Sequence, residues 1–246
     1  LEEEAQHAAR RLTAYGVRRG ATVAMTMRGG REQVVLIHAL MKTGSVLLPV
    51  SPRLSDEERS RALKQCRVSI DLDEPDRLTR TEADMPLLGE HDMEDIHCRI
   101  LTSGSSGAAH AVGLTYGNHL FSAMGSAFNI GIDPGDRWLC ALPLSHISGL
   151  SIIMRSVIYG TAVVLHDGFD VDAVARSIPE KGVNVSSMVS TMLLRLLDAG
   201  ADLSAPRAIL VGGGPVPQEA LDRALDRGAN VIQTYGLTET CSQVTT

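Results

Sequence analysis

Aromatic residues are scarce: the 246-residue chain has one Trp, four Tyr and three Phe. Single-stranded nucleic acid is held by stacking successive bases on aromatic side chains, and a chain this poor in them offers no such platform. Excess positive charge is lacking too. Twenty-three Lys and Arg stand against 29 Asp and Glu, a formal net charge of −6, so no basic face is expected to displace counterions from a duplex. Cysteine is sparse, and Cys66, Cys98, Cys140 and Cys241 form no CxxC pair. They read as free thiols in a reducing compartment, which predicts a cytoplasmic location. Long apolar runs are absent: Lys42 and Arg155 interrupt the two best stretches, so membrane insertion is not expected. The first residues, Leu-Glu-Glu-Glu-Ala, are acidic where a secretory signal is basic. With no initiating Met and an abrupt end at Ser242-Gln243-Val244-Thr245-Thr246, the sequence reads as a truncated piece.

What remains is ample material for a globular α/β protein. Hydrophobic residues make up 44% and charged residues 21%, and a domain of this length buries roughly 70–75% of its unfolded surface without staples. Periodicity predicts helices over 1–15, 31–43 and 56–65, interleaved with strands over 22–27, 46–50 and 68–72. Gly16 and Gly44 close the first two helices, and Ser55-Asp56-Glu57-Glu58 is a capping-box start for the third. Residues 73–97 are acidic, carry Pro75, Pro86 and Gly89, and read as a surface connection. A second run predicts strands over 99–102, 138–141, 161–165, 183–188, 208–211 and 230–235, with helices over 118–130, 148–159, 171–178, 191–199 and 218–227. Such alternation implies helix-covered, mostly parallel sheets. The expected division is one α/β subdomain over 1–98 and a second over 99–246.

Four segments carry chemistry. Thr102-Ser103-Gly104-Ser105-Ser106-Gly107 follows a short strand; its glycines let backbone N–H groups converge and its hydroxyls suit phosphate oxygens. No Gly-Lys-Ser/Thr follows, so it is no Walker A loop, and Ala108 rules out a G-x-S-x-G elbow. A flexible Ser/Gly linker has the same composition. His146 ends Leu142-Pro143-Leu144-Ser145-His146, directly before a helix, where parallel sheets place ligands; a packed or capping His is the plainer alternative. Gly212-Gly213-Gly214 follows a buried strand and permits close approach of a flat ligand, or merely a tight turn. In Tyr235-Gly236-Leu237-Thr238-Glu239, Tyr235 can stack on a base, Thr238 can reach a phosphate and Glu239 can hold Mg²⁺, unless the stretch is simply an exposed loop.

Together, in this order, these segments resemble the adenylate-forming superfamily of acyl-CoA ligases, luciferases and peptide-synthetase adenylation domains. The hydroxyl/glycine loop stands in for TSGTTGxPKxV, and Tyr235–Glu239 matches YGxTE. Gly16-Val17-x-x-Gly20, Ala39-x-x-Lys42-Thr43-Gly44 and Pro49-Val50-Ser51-Pro52 look like the N-terminal region of that superfamily. Thr115-Tyr116-Gly117-Asn118-His119, Ser145-His146-Ile147-Ser148-Gly149-Leu150-Ser151 and Thr238-Glu239-Thr240-Cys241-Ser242-Gln243 are similar to the o-succinylbenzoate–CoA ligase branch, which serves menaquinone synthesis.

The resemblance implies the large N-terminal domain of that fold, incomplete and without its small C-terminal domain. It also implies two half-reactions. A carboxylate attacks the α-phosphorus of ATP to give an acyl-adenylate and pyrophosphate, and CoA then displaces AMP. ATP, Mg²⁺, CoA and a small carboxylic acid are the implied partners, with homo-oligomerisation left open. Thr102 to Gly107 and His110 would meet the phosphates, and Gly213, Gly214, Tyr235, Gly236 and Thr238 the nucleotide. Glu239 and Thr102 would hold the metal. His146, Thr238 and Glu239 would be catalytic, and His146, Ser148, Ser151, Arg155 and Gly212 would line the acyl site.

Arg155 has a physical argument of its own: a charge within an apolar helical segment needs water or a partner, and Ser148, Ser151 and Arg155 share one helical face. Where the superfamily loop carries Pro-Lys, this chain has Ala109-His110, which replaces a permanent cation by an imidazole. The expected loss of the C-terminal domain would leave the chain alone inactive. A ligase for another aryl or fatty acid, and a non-catalytic nucleotide-binding relative, are the alternatives. A Ser/His hydrolase finds no elbow serine and no Asp/His pair in order.

Overall fold

The computed structural model describes residues 1–73, 81–102 and 110–245. The chain forms two compact units, Leu1–Asn118 and His119–Thr246. In the first, α1 (Glu2–Tyr15), β1 (Thr22–Thr26), α2 (Arg31–Thr43), β2 (Val46–Val50), α3 (Asp56–Gln65) and β3 (Ile70–Leu72) alternate as periodicity predicts. Glu2, Glu3 and Glu4 place negative charge on the first turn of α1, and Gly16 closes it in the left-handed region at φ 115°. Ser55 Oγ accepts from the Glu58 N–H while the Glu58 carboxylate accepts from the Ser55 N–H, which fixes the start of α3. The sheet order is β3-β1-β2-β4-β5, where β4 is Ile96–Thr102 and β5 is His110–Thr115. The first four strands are parallel and β5 returns antiparallel to β4. Leu12, Met25, Ile37, Leu40, Leu47, Leu48, Ile100 and Leu114 are fully buried around this sheet, each contributing about 1.5–3 kcal/mol.

Two expectations change here. The strand predicted from residue 99 begins at Ile96, and β5 was not foreseen. Because β4 and β5 form a hairpin in the first sheet, the compact units divide within the first turn of α4 (Tyr116–Ile130), between residues 118 and 119, and the expected division after residue 98 falls inside β4.

The second unit contains β6 (Arg137–Cys140), α5 (Ile147–Tyr159), β7 (Ala162–Leu165), α6 (Val171–Lys181), β8 (Val185–Val189), α7 (Ser190–Asp198), β9 (Ala208–Gly212), α8 (Gln218–Asp226) and β10 (Val231–Gln233). Its sheet runs β10-β9-β8-β6-β7 and is parallel throughout. Helix α6 continues past Pro179, which has no N–H to donate, and ends at Gly182. A separate two-stranded hairpin follows, β11 (Tyr235–Leu237) with β12 (Ser242–Thr245), joined by a 3₁₀ turn over Thr238–Thr240.

The amino-terminal edge of the parallel sheet is tied together by Asp136, Asn184 and Arg207, the residues immediately before β6, β8 and β9. Arg207 Nε lies 2.8 Å from Asp136 Oδ1 and Arg207 Nη2 2.5 Å from Oδ2, and Asn184 Nδ2 donates to Oδ1 at 3.0 Å. Burial alone would raise the Asp136 carboxyl, but Arg207, the Asp133 N–H and Asn184 together hold it below the usual range. Among the described residues no helix is long and apolar enough to cross a membrane.

Candidate functional site

All five strands of the second sheet point the same way, so the segments leaving their C-terminal ends share one edge. The strand order reverses between β6 and β8, the place where open parallel sheets leave a crevice for ligands. His146, Gly212–Gly214 and Tyr235–Glu239 follow β6, β9 and β10, which brings three of the four predicted segments to this edge.

His146 is the exposed N-cap residue of α5, and its carbonyl accepts from the N–H groups of Gly149 and Leu150. The helix starts this close to the strand end because residue 149 has no side chain: a Cβ there would collide with the Pro143 carbonyl oxygen and lie 2.8 Å from that of Leu142. Ser145, which the sequence reading did not single out, is buried with its hydroxyl lacking a hydrogen-bond partner among the described residues.

Along α5, Ser148 is half-buried and Ser151 and Arg155 are buried, Arg155 being only 3% exposed. Its Nη2 donates to Ser122 Oγ at 3.3 Å, its guanidinium stands 5.6 Å from the centre of the Trp138 ring, and its Nε has no partner. Among the described residues no carboxylate pairs with it. Burial pushes the guanidinium below its ordinary value, opposed by Tyr159 and Cys241. A buried cation without a counter-ion is costly, and this one lies on the helix that starts at His146. Ser151 Oγ lies 3.1 Å from the Ser148 carbonyl and 3.4 Å from Ser242 Oγ.

At the end of β9, Gly212 is dictated by its neighbour Thr234. A Cβ on Gly212 would collide with Thr234 Oγ1 and approach the Thr234 carbonyl to 2.7 Å. Gly213 holds φ 77°, and Gly214 opens to space with nothing within 4 Å of a Cβ. Tyr235 is 60% exposed. Thr238 is half-buried and Glu239 exposed at the 3₁₀ turn. Glu239 has no ion pair among the described residues, and a free, water-facing carboxylate is the hard oxygen donor that Mg²⁺ takes.

Thr102 and His110 lie in the first unit, facing each other in register at the ends of β4 and β5, with Thr102 Oγ1 donating to the His110 carbonyl at 3.3 Å. Thr102 is half-buried and His110 exposed. Ser103, Gly104, Ser105, Ser106 and Gly107 lie outside the described residues.

The other chemically suggestive pair is inert. Cys241 Sγ lies 3.5 Å from His119 Nδ1. Burial pushes the thiol up to about 12 and the imidazole down to about 4, so neither is charged near neutrality. A nucleophilic thiolate is therefore not available there.

Residues 1–90 and 71–246 match the family described as AMP-binding enzyme. The chain is 37% identical over 266 residues to a 2-succinylbenzoate–CoA ligase of Bacillus licheniformis, covering 100% of this chain and 55% of that protein. It is also similar to o-succinylbenzoate CoA synthetase (MenE) of Bacillus subtilis in two solved complexes. With the acyl-adenylate intermediate OSB-AMP, the TM-score is 0.92 at 36% identity, over 98% of this chain and 68% of that one. With ATP and magnesium ion, it is 0.90 at 37% identity, over 98% and 55%. The chain spans about half the length of the curated relatives it matches.

Proposed function

Since this chain belongs to the AMP-binding enzyme family, we propose that it supplies the nucleotide-binding and acyl-binding portion of an acid–thiol ligase whose acid is o-succinylbenzoate. The activated carboxylate attacks the α-phosphorus of ATP, and pyrophosphate leaves with the electrons of the broken P–O bond. The CoA thiolate then attacks the acyl carbon and AMP leaves. Both steps bring anions together, so alignment and charge neutralisation dominate the chemistry. The product serves menaquinone synthesis, as the resemblance implied, and the four buried free thiols suit a cytoplasmic setting.

The observation that carries the choice of acid is Arg155: buried, without a carboxylate partner, its Nε unused. o-Succinylbenzoate has two carboxylates and only the succinyl one is activated. The aromatic carboxylate is the counter-ion that Arg155 lacks, met directly or through water. Ser148 and Ser151 contribute hydroxyls from the same helix, with Gly212 at the far wall. Tyr235 packs on the adenine between Gly213, Gly214 and Gly236, and Thr238 donates to the α-phosphate. His146 sits where nucleotide and acyl group meet and donates to the oxygen that gains charge in the transition state. The Thr102–Gly107 loop and His110 are assigned the outer phosphates on their composition. Glu239 would hold Mg²⁺, which when bound would neutralise phosphate charge.

Pyrophosphate exchange on the full-length protein with a panel of carboxylic acids tests this reading. Exchange stimulated selectively by o-succinylbenzoate is the expected result, and stimulation by benzoate or fatty acids alone would reassign the acid. One observation favours the second reading, a nucleotide binder without catalysis: His110 replaces the loop lysine of the superfamily. His110→Lys raises exchange if the first reading holds, because a fixed charge beside the phosphates stabilises departing pyrophosphate. An exchange rate of zero in both forms would favour the binder.

A further inference from the structure

The 3₁₀ turn at Thr238–Thr240 is followed by two residues in the left-handed region, Cys241 at φ 55° and Ser242 at φ 89°, neither of them glycine. Side chains rarely adopt such conformations unless their surroundings fix them. The surroundings here are one face of α4. His119, Ser122 and Ser126, at i, i+3 and i+7, meet the Cys241 thiol, the Cys241 carbonyl and the Gln243 side chain respectively. From α5, Ser151 meets Ser242.

Ser122 stands at the junction of two of these contacts. Its hydroxyl donates to the Cys241 carbonyl at 2.7 Å, so its single proton is committed and only lone pairs face Arg155, whose Nη2 donates to it at 3.3 Å. The Cys241 N–H in turn donates to the Thr238 carbonyl at 3.0 Å, closing the turn. Hydrogen bonds therefore link the Arg155 guanidinium to Ser122, Ser122 to the Cys241 carbonyl, and the Cys241 N–H to Thr238, the last two being joined through the covalent backbone of Cys241. The Arg155–Ser122 link is long for an N–H···O bond, and the unused Nε leaves room for a carboxylate to bind the guanidinium without displacing Ser122.

We propose that Ser122 is a positioning residue that couples the acid-binding arginine to the nucleotide-binding turn, so that each ligand strengthens the binding of the other. The proposal rests on the functional reading above, which places a carboxylate on Arg155 and nucleotide at Thr238. Coupling between two sites is reciprocal and commonly amounts to roughly 5–150-fold.

Calorimetric titration of o-succinylbenzoate into the protein, alone and saturated with AMP and Mg²⁺, reads the coupling directly. The unaltered protein should bind the acid about tenfold tighter when AMP is present. Ser122→Ala should reduce that ratio to about twofold or less while each ligand still binds, and Ser122→Thr, which retains the hydroxyl, should restore it. A ratio in Ser122→Ala equal to that of the unaltered protein overturns the proposal while leaving the functional reading intact. Failure of the unaltered protein to bind o-succinylbenzoate at all overturns the functional reading, and the coupling with it.

A second measurement needs no variant. Trp138 is the only tryptophan in the chain and lies beneath Arg155. AMP with Mg²⁺, added without the acid, should shift its emission through the Ser122 path. Unchanged emission at saturating AMP would overturn the coupling even if Ser122→Ala did not fold.

Discussion

Gly236 and Ser242 lie backbone against backbone across the β11–β12 hairpin, so close that a Cβ on Gly236 would fall on the Ser242 carbonyl oxygen. The atom in the way is main chain and cannot rotate aside. The glycine of the Tyr235–Glu239 motif is thus explained by the hairpin itself, before any ligand is considered. Gly236→Ala should force the hairpin open at a cost of about 1–3 kcal/mol. Thermal unfolding should show the loss, and AMP affinity should fall with it, because Thr238 and Glu239 lie between the two strands.

Arg155→Met should separate stability from affinity. Removing a buried, unpaired charge for an apolar side chain of similar length leaves the fold as stable or more so. The same change should weaken o-succinylbenzoate binding by about tenfold or more, since a hydrogen bond to a charged group contributes about 1.5–3 kcal/mol, and change ATP affinity far less, through the Ser122 path alone. Parallel melts and titrations check both halves. A drop in melting temperature with unchanged acid affinity would make Arg155 structural.

Glu239→Gln removes one anionic oxygen donor from an exposed position where packing is not at stake. Nucleotide affinity measured with Mg²⁺ should fall, affinity measured with EDTA should not, and the melting temperature should be unchanged. Equal affinity with and without the metal in both proteins would remove Glu239 from the metal site.

Acid should destabilise the fold in a window set by two histidines. Burial holds His38 and His119 down at about 4, against about 6.5 in the unfolded chain. Between those values the unfolded chain takes up protons that the folded chain refuses, so stability present above pH 6.5 is lost as the pH falls toward 4, by about 2–3 kcal/mol per histidine. Urea midpoints at pH 7.5 and 5 should differ accordingly, and His38→Gln should shrink the difference. The Asp136 carboxyl, held below its ordinary value, adds a loss only at lower pH, as protons reach it through its depressed folded value.

Local signals made much of the fold legible. The bounds of α2, β2 and α3 agree with periodicity, a C-terminal glycine and a capping box. What was missed has little local signature. His110–Thr115 is short and mixed in polarity, and it becomes a strand only by pairing with β4. The β11–β12 hairpin turns through Cys241 and Ser242 at positive φ, so the usual Gly or Asn is absent. Arg155 stood out because charge is rare in an apolar helix, whereas Ser122 did not, since a serine on a helix is unremarked until its neighbours are known. Its spacing from His119 and Ser126 was the available clue. The segment over 102–107 was legible only as composition.

The Asp136–Asn184–Arg207 cluster has a consequence for how such a protein can change. It fastens β6, β8 and β9 at the rim opposite the His146, Gly212 and Tyr235 segments. Strand register is therefore settled without help from the opposite rim. Insertions, deletions and substitutions in the segments that follow these strands can be accommodated without shifting the sheet beneath. A change at Asp136 or Arg207, at the far rim, would disturb every one of those segments together.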